Sequence, residues 1–562
     1  MICFIFQKKM KHKLIFFIAF AFLKLLFNNL KSKEMYVQKK WAEVDKKINQ
    51  YPVQAQQIID EIYNYSIKNN LQDEIMKCFI YNLKAQQSQE EYFEKEVAKM
   101  EKYLEQAPEP NKSLMYSILA ELYWQYFNAM RWQIQQRTKV QGGVGNDIQV
   151  WTTDDFVAKV IEYYNLSLAN EQKLKEIDAD YYKQMISKGT KPKDHRPTMY
   201  DFLAARAIDF FSRPEASATR PIEYFQILDD NFFADVETFV KTDFKSSDTL
   251  SLHYNGVRIL QSWLKFRLKD ASNIEGLIAA DLKRLEFANN LSVNPNKEKL
   301  YFEALQNIIK KYPTAKQTGY AKYYVAKYYE SLASKYNPED ASTLIYKDYY
   351  LKALEEHKKI TQQYRDDNEL LGMSQNSIYA IEELNINFKT EEVVTPQSPI
   401  PLIVYYRNVS EIFIEIRKIG VETFKNYDYE GSDWEKIKPK NYQLVKTYKF
   451  QLKGTEDYQP HSTELILETL PKGIYLICIS NKSDFGGKSV VNYQFVQVSN
   501  LSIVHQTTVG GILHCKVLDR TNSKPIANAS VEGFYEKYDY NKSKYVIKSI
   551  GVFKTNENGI VD

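Results

Sequence analysis

The sequence predicts a multidomain protein that is α-helical first and β second: an all-α helical-repeat region, then a β-sandwich, then a second, truncated β-sandwich. Three observations predict it. Eleven of the 19 glycines fall in the last 167 residues and only eight in the 395 before them. Glycine weakens helices and serves the tight turns between short strands. The hydrophobic period also changes. Leu114, Ile118, Leu122 and Tyr126 recur every four residues, as one face of a helix requires. Tyr442, Leu444, Tyr448, Phe450 and Leu452 share every second position with Lys446, as a half-buried strand requires.

Size and composition agree. A chain of 562 residues exceeds what one core serves, so two to four domains are expected. A hydrophobic fraction of 44% with 14% aromatics supplies packed cores and argues against disorder. Net charge is only +4, so nothing calls for nucleic acid. Cys3, Cys78, Cys478 and Cys515 form no C-x-x-C pair, which removes a zinc site or a thioredoxin-like redox pair. A Cys478–Cys515 disulfide would require adjacent β units.

Residues 1–34 read as a signal peptide or N-terminal anchor. Lys11, His12 and Lys13 precede an apolar run from Leu14 to Leu23, which Lys24 interrupts before Leu25, Leu26 and Phe27. About ten apolar residues suit a secretory signal better than a membrane span, which needs about 20. Export is expected, with contact to a membrane only through this segment.

Residues 35–385 read as helix after helix. Tyr51-Pro52 and Tyr312-Pro313 each end one helical pattern and begin another, because proline stops one helix and suits the first turn of the next. Leu300–Lys311, Tyr320–Lys335 and Tyr346–Tyr364 are three such helices. Units of about 34 to 45 residues suggest tetratricopeptide-like stacking. Tyr320, Tyr324 and Tyr328 form a stripe expected to be core between helices. Two loops interrupt: Val140–Asn146, glycine-rich but without the Lys-Ser/Thr of a phosphate loop, and Lys188–Lys193. Pro197 then sits near the start of a helix Thr198–Phe211.

Residues 386–499 read as an immunoglobulin-like β-sandwich. Pro396, Pro399 and Pro401 mark the passage into extended chain. Strands are expected at Leu402–Arg407, Ile412–Ile419, Tyr442–Leu452, Thr463–Leu467, Ile474–Ser480 and Val490–Val498, with turns such as Gly431-Ser432-Asp433 and Pro471-Lys472-Gly473. Residues 500–562 read as the incomplete second sandwich. A strand Leu513–Leu518 leads into a turn ending at Pro525, the next strand begins around Val531, and Ile560-Val561 follow the turn Asn556–Gly559.

The run Leu119–Tyr126, then Arg131-Trp132, Arg137-Thr138, Arg196–Leu203 and Arg206–Phe210, resembles the helical N-terminal region of large bacterial alpha-2-macroglobulin-like proteins. Val393–Pro396, Val404–Asn408 and Val517–Pro525 resemble their macroglobulin-like domains, so the resemblance covers about residues 36 to 562. It implies the scaffold portion of a protease-trapping inhibitor, exported to the periplasm or cell surface. In that family a bait region and, in some members, a C-x-E-Q thioester lie further along the chain. None of the four cysteines here stands in C-x-E-Q. The partners implied are proteases, met through those further domains, and other envelope proteins. A continuing reading frame with more such domains would separate this reading from its alternative, a stand-alone exported module binding a protein or glycan.

No catalytic, cofactor-binding or metal residue is expected, and no enzyme activity. The histidines His12, His195, His253, His357, His461, His505 and His514 form neither H-E-x-x-H nor H-x-x-x-H, and no G-x-S-x-G elbow is present. His514 and Cys515 are neighbours on a strand and point to opposite faces. Glu382-Glu383 and Asp366-Asp367 read as charged helix ends, and Arg131-Trp132 as a helix-packing pair rather than a ligand platform.

Overall fold

The computed structural model describes residues 33, 35–86, 92–137, 145, 147–182, 185, 195–213, 224–270, 272–421, 423–424, 438–486, 489–507, 513–540 and 543–561. The N-terminal apolar segment with Cys3, the glycine-rich loop apart from Gly145, the break at 188–193 and the Gly431-Ser432-Asp433 turn lie outside them. Two compact units divide the chain: one runs to Val325 and includes Tyr364–Leu370, the other comprises Ala326–Gln363 and everything from Leu371.

The first unit is helical, and its helices pack mainly on sequence neighbours. α1 (35–47), α2 (Pro52–Asn69) and α3 (Gln72–Gln86) share a core of Val37, Trp41, Val44, Ile59, Ile62 and Cys78. Pro52 occupies the first turn of α2, where its missing N–H costs nothing. α4 (Tyr92–Leu104) packs against α5 (Asn111–Ala129), which also packs against α7 (Thr153–Leu168); the short α6 (Arg131–Gln135) lies between α5 and α7 in the chain. α5 buries Met115, Leu119, Ala120, Tyr123, Trp124 and Phe127; of the stripe Leu114, Ile118, Leu122 and Tyr126 only Leu114 is buried and the other three lie half-buried at its margin, which shifts the expected face.

α8 (Glu171–Glu176) leads to α9 (Met199–Phe211), whose start is fixed by a capping box between Thr198 and Asp201. α10 (Val236–Lys241), α11 (Leu252–Lys269), α12 (Ile274–Leu291) and α13 (Lys297–Lys311) follow, each of the last three packed on its predecessor. Side-chain caps from Asp235, Ser251 and Asn273 start α10, α11 and α12. Tyr312 ends α13 as expected, but α14 (Thr318–Ala333) begins only after a turn, so Pro313 does not open it. On the part of α14 in this unit, Tyr320, Ala321 and Val325 are buried and Tyr324 is half-buried; from Ala326, also buried, the helix belongs to the second unit, where Tyr328 is half-buried.

In the second unit α15 (Tyr349–Gln363) and α16 (Asn368–Glu382), the latter from Leu371 on, precede the strands. β1 (Asn385–Thr390), β3 (Ile400–Arg407) and β6 (His461–Leu467) form an antiparallel sheet in the order β1-β3-β6. β2 (Val393–Val394), β4 (Glu411–Ile419), β5 (Gln443–Gln451), β7 (Gly473–Ser480) and β8 (Val491–Val498) form the other, in the order β2-β8-β7-β4-β5, parallel only between β2 and β8. Ile386, Leu402 and Val404 of the first sheet and Ile412, Ile414, Ile477 and Val496 of the second enter one buried cluster, which makes the pair a sandwich.

One expectation about β5 needs correction. Tyr448, Phe450 and Leu452 face this core, but Tyr442 joins a cluster with Ile419, Leu476 and Cys478. A register shift pairs Ile416 with Lys446 but Arg417 with Leu444, leaving Val445 as an extra residue. That bulge reverses the alternation, so Tyr442 and Leu444 leave the Tyr448 face.

β9 (Leu501–Thr507), β10 (Leu513–Asp519) and β13 (Ile560–Val561) form a sheet in the order β13-β10-β9, and β11 (Ser530–Asp539) pairs with β12 (Lys544–Lys554) as a hairpin. Val517 is the one buried apolar side chain among the residues of 501–561 whose side chains are described. β1, β2, β9 and β12 are strands that the sequence reading did not single out.

Candidate functional site

The first unit contains a cleft of about 380 Å³ where α4, α5 and α7 meet, within the range of roughly 300–1,000 Å³ typical of small-ligand sites. Helical spacing places its lining. α5 contributes Lys112, Tyr116 and Tyr123; α7 contributes Lys159, Glu162, Tyr163 and Leu166; the end of α4 contributes Glu101, Leu104 and the following Glu105. Trp151 stands just before Thr152, which with Asp155 forms the capping box that starts α7.

Glu101 organises the floor. Its Oε1 accepts a hydrogen bond from the Tyr123 hydroxyl at 2.9 Å and from the Tyr163 hydroxyl at 2.6 Å. Burial, reinforced by the Glu101 carboxylate, pushes both phenols well above the usual tyrosine range, so they stay protonated donors. Tyr123 stacks on Trp151 at 5.5 Å between ring centres and 15° between planes, and Tyr116 packs against Tyr163 at 5.4 Å. The indole N–H of Trp151 donates to the Gly145 carbonyl at 3.1 Å, and Arg137 donates to the Trp151 carbonyl at 2.9 Å. Lys159 lies 4.9 Å over the Tyr163 ring and pairs with Glu162 at 2.9 Å. The lining of the cleft holds carboxylates, phenols and ammonium groups, with one indole and two leucine side chains. It could not be read from a linear motif, because its residues come from separate helices; the one signal was Tyr123 inside the run Leu119–Tyr126.

The residues weighed in the sequence fall elsewhere. Trp132 is 81% exposed and packs on no helix, which corrects the expectation for Arg131-Trp132; α6 is too short to bury more than Ile134. Arg131 instead lies 5.8 Å from the Phe127 ring centre. His514 stands opposite Gln506 and Cys515 opposite His505, as strand neighbours on different faces. Cys78, Cys478 and Cys515 are free thiols, so the Cys478–Cys515 bridge does not form, and burial pushes the Cys478 thiol up to about 12. Asp367 caps the start of α16 by accepting from the Leu370 N–H at 3.0 Å, and Glu382 accepts from Lys358 at 2.8 Å. Among the described residues, no group of three or more His, Cys, Asp or Glu is placed to hold a metal ion, and no helix is long and apolar enough to cross a membrane.

No protein-family model matches the sequence. No curated protein matches it either. Among solved structures there is a weak likeness to native alpha-2-macroglobulin from Escherichia coli, in a crystal structure spanning domains MG0-NIE-MG1. Identity is 12%, the TM-score is 0.23, and the match covers 32% of this chain and 56% of that one. This chain therefore spans little more than half of the solved fragment.

Proposed function

We propose that the chain is the N-terminal scaffold portion of an alpha-2-macroglobulin-like protease-trapping inhibitor, exported to the periplasm or cell surface, with tetratricopeptide-like helical packing and macroglobulin-like sandwiches. What supports the reading is the work done by one residue in each of three runs that carry the resemblance, Asp201, Asn408 and Asp519: they hold the framework together. Asp201, from the run Arg196–Leu203, is the acceptor at the centre of a buried network with Trp263 and Arg267. Asn408, closing Val404–Asn408, adopts a left-handed conformation and donates to the carbonyls of Ile381 and Glu383. Asp519, inside Val517–Pro525, accepts from the backbone N–H groups of Thr521 and Asn522 and so shapes the turn. Residues spent on backbone turns and buried pairs suit a spacer better than a reactive site.

The test is expression of the full chain in a bacterial host, cell fractionation, and incubation of the recovered protein with proteases of different specificity. Recovery from the envelope fraction with undiminished cleavage of a large protein substrate is expected. Retention in the cytoplasm, or potent inhibition at stoichiometric amounts, would overturn the assignment.

A further inference from the structure

We propose that the cleft between α4, α5 and α7 binds an organic cation: an ammonium or guanidinium on a short apolar chain, as a Lys or Arg side chain presents. The inference goes beyond the scaffold reading and does not depend on it. It begins with Glu101. Both phenol donors converge on its Oε1, and among the described residues nothing donates to Oε2. The phenols fix the carboxylate in place without neutralising it, leaving one oxygen for a guest.

Charge points the same way. Glu101, Glu105 and Glu162 line the cleft against Lys112 and Lys159. Lys159 is paired with Glu162, so two carboxylates remain against one ammonium. An anion would meet that excess, whereas a cation would relieve it. The cleft also already holds an ammonium in the manner proposed, since Lys159 lies over the Tyr163 ring while paired to a carboxylate. Leu104 and Leu166 provide apolar wall for the methylenes of a guest. A sugar fits less well, because Tyr123 and Trp151 are buried against each other and offer no open ring face.

The experiment is calorimetric titration of the full chain at low salt with cadaverine, agmatine, N-acetyl-lysine amide and the neutral analogue N-acetyl-norleucine amide. The cationic probes should bind and the norleucine probe should not. Glu101→Gln keeps an oxygen for the phenols but removes the charge; it should weaken binding by at least about tenfold with an unchanged melting temperature. Lys159→Ala removes the resident ammonium from the Tyr163 ring and should tighten binding several-fold, a gain that a purely structural role would not produce. Tighter binding of the lysine amide than of cadaverine would assign the ligand to a polypeptide side chain, and the reverse to a free amine. Equal binding of the norleucine probe, unchanged affinity in Glu101→Gln, or no binding by any cation would overturn the proposal.

Discussion

Asp201 accepts from Trp263 Nε1 at 2.7 Å, from Arg267 Nε at 2.8 Å and Nη2 at 2.7 Å, and from the Thr198 N–H at 3.0 Å. Arg267 is 1% exposed, and its other partner is Asp270 at 2.9 Å. A buried ion pair adds little net stability while intact, but removing one partner strands the other charge in a low dielectric. Asp201→Ala should therefore destabilise the first unit by about 3–5 kcal/mol, read as a lower urea midpoint in tryptophan fluorescence. An unchanged midpoint would mean that water or Asp270 suffices for Arg267. The sequence made the α9 helix and its start beside Pro197 legible. It could not make the hub legible, because Trp263 and Arg267 stand 62 and 66 residues further on. Trp132 failed for a related reason: a tryptophan beside an arginine looks the same whether or not a neighbouring helix reaches it.

At the scale of elements, the sequence pattern outlined the helices α9, α13, α14 and α15 and the strands β3 to β8 and β10, because one face of each packs against a neighbour. β9 was missed because nothing covers either face: Leu501, Ile503 and Val504 all lie exposed. β2 is only two residues long, too short to show a period. The phase of β5 was misread near its start because a bulge leaves no mark on a list of alternating residues. The turn at Gly559 is a sharper case. Its φ is +73°, and a Cβ there would stand 2.5 Å from the Val517 carbonyl oxygen. The Gly559 carbonyl in turn accepts from the Val517 N–H at 2.8 Å. Gly559→Ala should destabilise the β10–β13 pairing by more than about 1 kcal/mol, and the Val517 amide should exchange its hydrogen faster with solvent. Unaltered exchange would show that the backbone shifts at little cost.

Across the whole molecule, burial is uneven between the two β regions. The sandwich shares one cluster of 18 buried residues, whereas Val517 alone is buried among the described apolar side chains of 501–561, with Ile503, Tyr540 and Val552 among those exposed. Local opening is easiest where few apolar contacts must be broken. Limited proteolysis should therefore clip residues 500–562 first while 386–499 persists as a compact fragment; equal resistance of the tail would contradict this. The α-then-β order was legible because glycine usage and period change together. The cleft was not, because three helices must come together before Glu101, Tyr123 and Tyr163 are neighbours. Asn408 has a mechanical consequence. Its side-chain amide holds the carbonyls of Ile381 and Glu383, at and just beyond the last turn of α16, while its own backbone forms the bend between β3 and β4. Fraying of that helix end and loosening of that bend are thus one event. Because that bend joins β3 to β4, the end of α16 is tied to one strand from the interior of each sheet of the sandwich.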